Sequence, residues 1–220
     1  MSLPSSPKLV KGGLVLLDAA SGAILRTIAL QYNPDSLQRS YQVQGAGGDG
    51  GGERAQPFRL KGPAIETLKV EAEIDATDAL EQPDQHAGTV QFGIGPQLAA
   101  LEGLVNPSVA ELNQHHQLSQ SGTLEIIPPE APLVLFVWSA QRVVPVRVSE
   151  LSINEDAFDP LLNPIRAKVS LGLRVLSTDD LGFAHRGGGA FLNHLRTRES
   201  LAATLGSTSL QTLGLYGLPL

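Results

Sequence analysis

Chemistry-bearing side chains are spread along this sequence rather than gathered into motifs. The five histidines are His86, His115, His116, His185 and His194. His115 and His116 are adjacent, and on a helix adjacent side chains point about 100° apart. A chelating pair needs i, i+4 spacing, so these two make no ready metal site. Near a helix C-terminus they serve the dipole or the solvent. Glu71, Glu73 and Asp75 recur every second residue after Lys69. On a strand that spacing sets the carboxylates on one face. No histidine or turn brings in further ligands, so the face reads as solvated or partner-facing. Asp75-Ala76-Thr77-Asp78 lacks the glycine and the terminal glutamate of a calcium loop.

Gly45 to Gly52 holds six glycines in eight residues. A phosphate-cradling loop would need a helix start and a lysine behind it, and neither follows. The stretch reads as a mobile hairpin tip. The sequence carries no G-x-S-x-G, H-E-x-x-H, Walker A or dinucleotide fingerprint. No catalytic, cofactor-binding or metal-ligating residue is assigned, and no cofactor is expected. A site assembled in space from distant residues stays open. The most constrained residues are strand hydrophobes and turn prolines, which is the profile of a structural module rather than an enzyme.

A chain of 220 residues allows one large domain or a domain with appendages. Its net charge of −6 argues against general attraction to nucleic acid or an anionic membrane. There is no cysteine, which excludes disulfides and thiol chemistry. Met1 to Lys11 has no apolar core of a signal peptide, and no run approaches a membrane span of about 20 apolar residues. Assembly in the cytoplasm is the expectation.

The elements that must position these side chains are mostly strands. Pro132 to Leu176 reads as three in succession. Leu133 to Trp138 is an apolar run. A second strand starts at Arg142 and carries Val144, Val146 and Val148 on one face. Its apolar phase then shifts to Leu151 and Ile153, so one extra residue near Ser149-Glu150 predicts a β-bulge. In the third, Ile165, Ala167, Val169, Leu171, Leu173 and Val175 face one way. Arg166, Lys168, Ser170, Gly172 and Arg174 face the other. Alternation with period two marks a strand with one buried face. Upstream, Leu14 to Leu17 and Ile24 to Tyr32 predict a hairpin, Pro34 turns the chain sharply, and Leu37 to Gln44 is a strand. Ile65 to Ala76 alternates most cleanly. Pro96 sits in a first helical turn, and Ser108 to Glu111 has the form of a capping box. Thr123 to Ile127 reads as an edge strand and Asn154 to Pro160 as an acidic loop. Gly187-Gly188-Gly189 reads as a hinge. Behind it Phe191, Leu192, Leu195, Arg198, Leu201, Ala202 and Leu205 fit an amphipathic helix, with a Gly/Leu-rich tail. The expected domains are 1–178, with a helical insertion around 96–117, and 179–220.

Two stretches together carry a family resemblance. One is Leu30-Gln31-Tyr32-Asn33-Pro34-Asp35-Ser36-Leu37, with Gly62-Pro63 and the strand to Asp75 behind it. The other is Pro132 to Trp138 with Val146 to Ile153, then Asn163-Pro164-Ile165-Arg166-Ala167-Lys168-Val169-Ser170-Leu171. Their order and spacing resemble the tube-like baseplate proteins of contractile injection systems, phage-tail-like particles. The resemblance covers roughly Leu14 to Leu176, with Tyr32, Asn33 and Pro34 as the motif turn. It implies a mainly β fold with flanking helices, as a tube-type β-barrel or two packed sheets. It implies a homohexameric ring with spike and inner-tube proteins as partners. Many relatives end in a LysM-type module, whereas here a helix and tail follow Leu181.

The function this implies is a baseplate or tube-initiating ring subunit that joins spike to inner tube. An inner-tube subunit or tube-end cap of the same particle is the alternative. A β-sandwich enzyme or carbohydrate-binding module is the alternative of another class, disfavoured by one Trp and three Tyr. In a head-to-tail ring each subunit offers two different edges, and strands pair across them. Glu71, Glu73 and Asp75 would then meet Arg166, Lys168 and Arg174 at the subunit interface and set register.

Overall fold

The computed structural model describes residues 10–45, 60–120, 131–206 and 209–218, apart from the side chain of His115. The glycine-rich stretch beyond Gly45 and the expected strand at Thr123 to Ile127 lie outside the described residues.

The fold is mainly β with flanking helices. Its strands are β1 (Gly13–Leu17), β2 (Ile24–Ala29), β3 (Leu37–Gln42), β4 (Ile65–Asp75), β5 (Leu133–Ser139), β6 (Arg142–Phe158) and β7 (Pro164–Val175). They form one seven-stranded sheet in the order β2-β1-β5-β6-β7-β4-β3, with every neighbouring pair antiparallel. The period-two sequences make this possible. Leu68, Val70, Ala72, Ala167, Val169, Leu171, Leu173 and Val175 are buried, and the residues between them on β4 and β7 turn to the other face. The bulge expected near Ser149-Glu150 is present, as the register of β6 on β7 shifts between Val148 and Glu150. It moves the apolar set from Val148 to Leu151 and Ile153 without turning either out of the core.

Asn154 to Phe158 is not a loop. It extends β6 to 17 residues. Asn154 lies opposite Lys168, Glu155 opposite Ala167, and Ala157 opposite Arg166. The chain turns only at Asp159, whose carboxylate accepts from the Leu161 and Asn163 backbone N–H groups at 2.8 Å each.

The helices α1 (Thr77–Leu80), α2 (Ala87–Phe92), α3 (Gly95–Glu102) and α4 (Val109–Gln120) form the insertion between β4 and β5. Pro96 occupies the first turn of α3, and Ile94, Leu98 and Leu101 are buried in the same core as the sheet hydrophobes. Gly93 makes the entry to α3 possible. It holds φ at +57°, and a Cβ there would lie 2.0 Å from the Pro164 carbonyl oxygen. The Ile94 N–H donates to that carbonyl at 2.8 Å. The capping box of α4 is formed: the Glu111 N–H donates to the Ser108 hydroxyl at 3.2 Å, and the Ser108 N–H donates to the Glu111 carboxylate at 2.6 Å.

After β7 come α5 (Thr178–Leu181) and α6 (Arg186–Ala203). The expected hinge is instead the first turn of α6. The His185 Nδ1 accepts from the Gly187 N–H at 3.0 Å and caps the helix. Gly187 and Gly188 are buried because helix and chain meet there without room for side chains. A Cβ on Gly188 would come 2.0 Å from the Gly182 carbonyl oxygen, and one on Gly187 would come 2.4 Å from Leu181 Cδ1. Phe191 sits in the same core cluster as β4 to β7, so the first half of α6 belongs to the β body.

Gly188→Ala is therefore expected to lower stability by about 1–3 kcal/mol through overpacking against backbone. Gly189→Ala, where a Cβ meets nothing within 4 Å, is expected to be neutral or to add up to about 1 kcal/mol. Urea denaturation of the two variants checks this. Equal effects would show that the close approach is not what requires glycine.

Candidate assembly surfaces

The two outermost strands of the sheet have no ladder partner on one side among the described residues. Those strands are β2 and β3. Every residue of β2 but Ile28 is exposed, and every residue of β3 but Leu37. Ile24 and Leu25 are exposed large hydrophobics on β2. An edge strand with unused N–H and C=O groups is a template for pairing with another chain.

The segment between these edges contains the Tyr32-Asn33-Pro34 turn, and it ties the sheet back on itself. The Gln31 side-chain N–H donates to the Asp75 carbonyl at 2.6 Å, and the Asp75 N–H donates to the Gln31 Oε1 at 2.9 Å. Gln31 follows β2 while Asp75 ends β4, strands that lie far apart in the sheet order. The sheet is therefore coiled enough to bring the end of β2 beside the far end of β4, and a side-chain amide bonds the backbone at this seam as a ladder partner would. Two residues on, Asn33 repeats the device. Its Nδ2 donates to the Val10 carbonyl at 2.8 Å, and its Oδ1 accepts from the Gly12 N–H at 2.9 Å. A groove of about 520 Å³ runs along this seam between β2, the far end of β4 and α3.

The charged faces expected at the interface meet within one chain. On β4 and β7, Asp75 stands opposite Arg166, Glu73 opposite Lys168, Glu71 opposite Ser170 and Thr67 opposite Arg174. The Arg166 Nε donates to the Asp75 carboxylate at 2.8 Å. Hydrogen bonds from Thr77, and then Arg166, hold the Asp75 carboxyl below the usual carboxylate range. Arg174 instead pairs with Asp180 of α5 at 2.8 Å. Glu71, Glu73 and Lys168 remain exposed on the outer face.

The sequence reading missed a buried polar cluster beneath α6. Glu66 is only 4% exposed. It accepts from the Tyr41 hydroxyl at 2.6 Å and pairs with Arg198 at 3.5 Å and Arg39 at 4.0 Å. The Arg198 guanidinium lies 5.2 Å from the Tyr41 ring centroid, a cation–π contact. Both carboxylate oxygens are engaged, so the cluster works as a clamp joining β3, β4 and α6 rather than as an open site. One signal was available: Glu66 shares its phase on β4 with Leu68, Val70 and Ala72, and an acid on the apolar phase needs a buried partner. His194 of α6 is 5% exposed, with no hydrogen-bond partner for Nδ1. Burial pushes its pKa below the ordinary value of 6.5. Among the described residues no three His, Cys, Asp or Glu side chains come together as a metal site. No helix among them is long and apolar enough to cross a membrane.

A family model described as contractile injection system tube protein matches residues 17–183, well over half of the chain. No curated protein matches the sequence.

Gln31→Leu is expected to cost about 1–3 kcal/mol in urea denaturation, because it strands the Asp75 backbone groups at the seam. An unchanged midpoint would mean that the amide is not what holds the seam. Folded His194 binds a proton less readily than it does in the unfolded chain, and the groups facing it are Glu66, Arg39, Arg142 and Arg198. The unfolded chain takes up this proton first as pH falls below about 6.5, so stability should decline from there downward. His194→Leu should flatten that part of the profile, as followed by melting temperature from pH 7.5 to 5. A profile unaltered by the substitution would assign the decline elsewhere.

Proposed function

The chain belongs to the contractile injection system tube protein family, and from that premise we propose that it is a ring subunit of the baseplate, placed where the inner tube begins and joining it to the spike. A structural role in the particle comes with the family. The ring is the further step, and the two free edges of one coiled sheet are the observation that carries it. Copies related by rotation, with β2 of one beside β3 of the next, give a heterologous contact that closes into a ring, taken here as a hexamer. Backbone pairing supplies the affinity and outward side chains supply the register. Glu71, Glu73 and Lys168, exposed beside the Asp75–Arg166 pair, are the residues we assign to contacts with particle neighbours.

The baseplate position is favoured over the inner tube by what lies past the matched span. The family match ends at residue 183, and α6 with its tail follows. A tube repeat stacks on copies of itself through both faces, whereas an adaptor meets different proteins above and below. An added element on one subunit type suits the second case. No catalytic role is part of the proposal.

Native mass spectrometry and negative-stain imaging of the purified chain test it. Closed rings that cap one end of tubes when tube subunits are added are expected. Long tubes from this chain alone would assign it to the inner tube, and a monomer at every concentration would end the ring reading. Arg26→Pro and Thr27→Pro separate edge pairing from folding. On β2 one of these N–H groups faces β1 and the other faces outward. The inward proline should lower the melting temperature, and the outward one should keep it and abolish rings. Rings formed by both would exclude β2 as an interface, and an Arg166→Glu/Lys168→Glu chain that assembles normally would exclude the charged face.

A further inference from the structure

The end of α6 and residues 209–218 behind it present apolar side chains that the other described residues leave uncovered. Leu205 is 83% exposed, Leu213 72% and Tyr216 97%. From Thr204 to Leu220 there is no Asp, Glu, Lys or Arg. Residues 210–215 are nevertheless locally ordered. Leu210–Leu213 forms a 3-10 turn, the Leu215 N–H donates to the Leu210 carbonyl at 3.1 Å, and Gly214 closes the turn in the left-handed region. A shaped, uncharged, apolar segment without a covering layer marks a docking element.

The same chain holds a groove of matching character. It has a volume of about 1000 Å³ and runs between β1, β2, β5 and the connection from α3 to α4. Leu25, Val105, Val109, Leu112, Pro132 and Val134 line it, and no described tail residue does. Leu25, Val105, Val109 and Leu112 are all exposed.

We propose that residues 209–218 of one subunit seat in this groove on the next copy of the same chain and strap the ring together. Three observations select a second copy as the occupant. Each copy brings both this groove and a tail, so a head-to-tail ring can use every one of them. The groove takes in Leu25 and Arg26 of β2, so it continues the edge through which the ring is proposed to close. The tail carries no charge to match against an unlike surface, while the groove lining is mainly apolar. The strap rests on the ring reading of the preceding section. It lies outside the matched residues 17–183 and is thus a property of this chain's own extension.

The cysteine-free sequence permits a direct test in the full-length chain. Leu213→Cys and Val105→Cys are made separately, mixed at ring-forming concentration and oxidised. A disulfide requires Cα atoms within about 7 Å, so only a seated tail is trapped. The expected result is a mixed dimer at least tenfold more abundant than the dimer of either variant alone. In the chain carrying both substitutions, a ladder up to the ring mass is expected on a non-reducing gel. Arg147→Cys mixed with Leu213→Cys serves as the background. Leu213→Asp/Tyr216→Asp should raise the concentration for half-assembly at least tenfold without lowering the melting temperature. Rings without a mixed dimer, or a disulfide formed only within single chains, overturn the strap and leave the ring standing. Absence of both rings and mixed dimer overturns both.

Discussion

A sheet that coils far enough to bring β2 beside β4 must satisfy the backbone groups where they meet, and the Gln31 amide does so there while the Asn33 amide prolongs the β2–β1 pairing. Gln31 bonds both the N–H and the C=O of Asp75, and Asn33 bonds the Val10 carbonyl and the Gly12 N–H. An amide offers a donor and an acceptor at the spacing of a peptide group, so it imitates a ladder pair without committing a strand. Tyr32 lies between them and is exposed. The core depends on this closure. Ile94, just before α3, and Leu98 and Leu101 of α3 are buried in one cluster with Ala72, Val169 and Leu171 of the sheet.

Closing that seam with one side chain rather than a ladder leaves β2 and β3 without a partner on one side among the described residues. A fully closed barrel would have no edges, and a flat sheet would expose both to indiscriminate pairing. The intermediate state keeps two outer strands at different places on one body. The edges also differ in chemistry. β2 offers Ile24 and Leu25, while β3 offers Gln38, Arg39, Ser40 and Gln42. The Glu66 clamp stiffens the second edge by tying Tyr41 and Arg39 of β3 to Arg198 of α6. A buried carboxylate held by two arginines and a phenol specifies one docking position for the helix better than apolar contact alone would.

Much of the β body was legible in advance. The two-residue alternation of β4 and β7, the bulge in β6, Pro96 in α3 and the capping box of α4 all depend on neighbours in sequence. Three readings needed the fold. Asn154 to Phe158 looks like an acidic loop until Lys168 and Arg166 of β7 lie beside it as a sheet partner. Gly187 to Gly189 looks like a hinge until Gly182 and Leu181 occupy the space that side chains would need. The phase of Glu66 on β4 hints at burial, but its partners Tyr41 and Arg198 come from other elements that only the fold brings together.

The charged faces of β4 and β7 show the division most plainly. That Glu71, Glu73 and Asp75 share one face, and Arg166, Lys168 and Arg174 another, follows from the sequence alone, because a strand turns its side chains over every residue whatever lies beside it. That Asp75 meets Arg166 in the same chain, and Arg174 meets Asp180, was decided by tertiary structure. Register and strand order are set by which of many apolar surfaces pack together over separations such as the 91 residues between Asp75 and Arg166. No local pattern encodes that choice, since every one of these strands offers a buried face of the same kind.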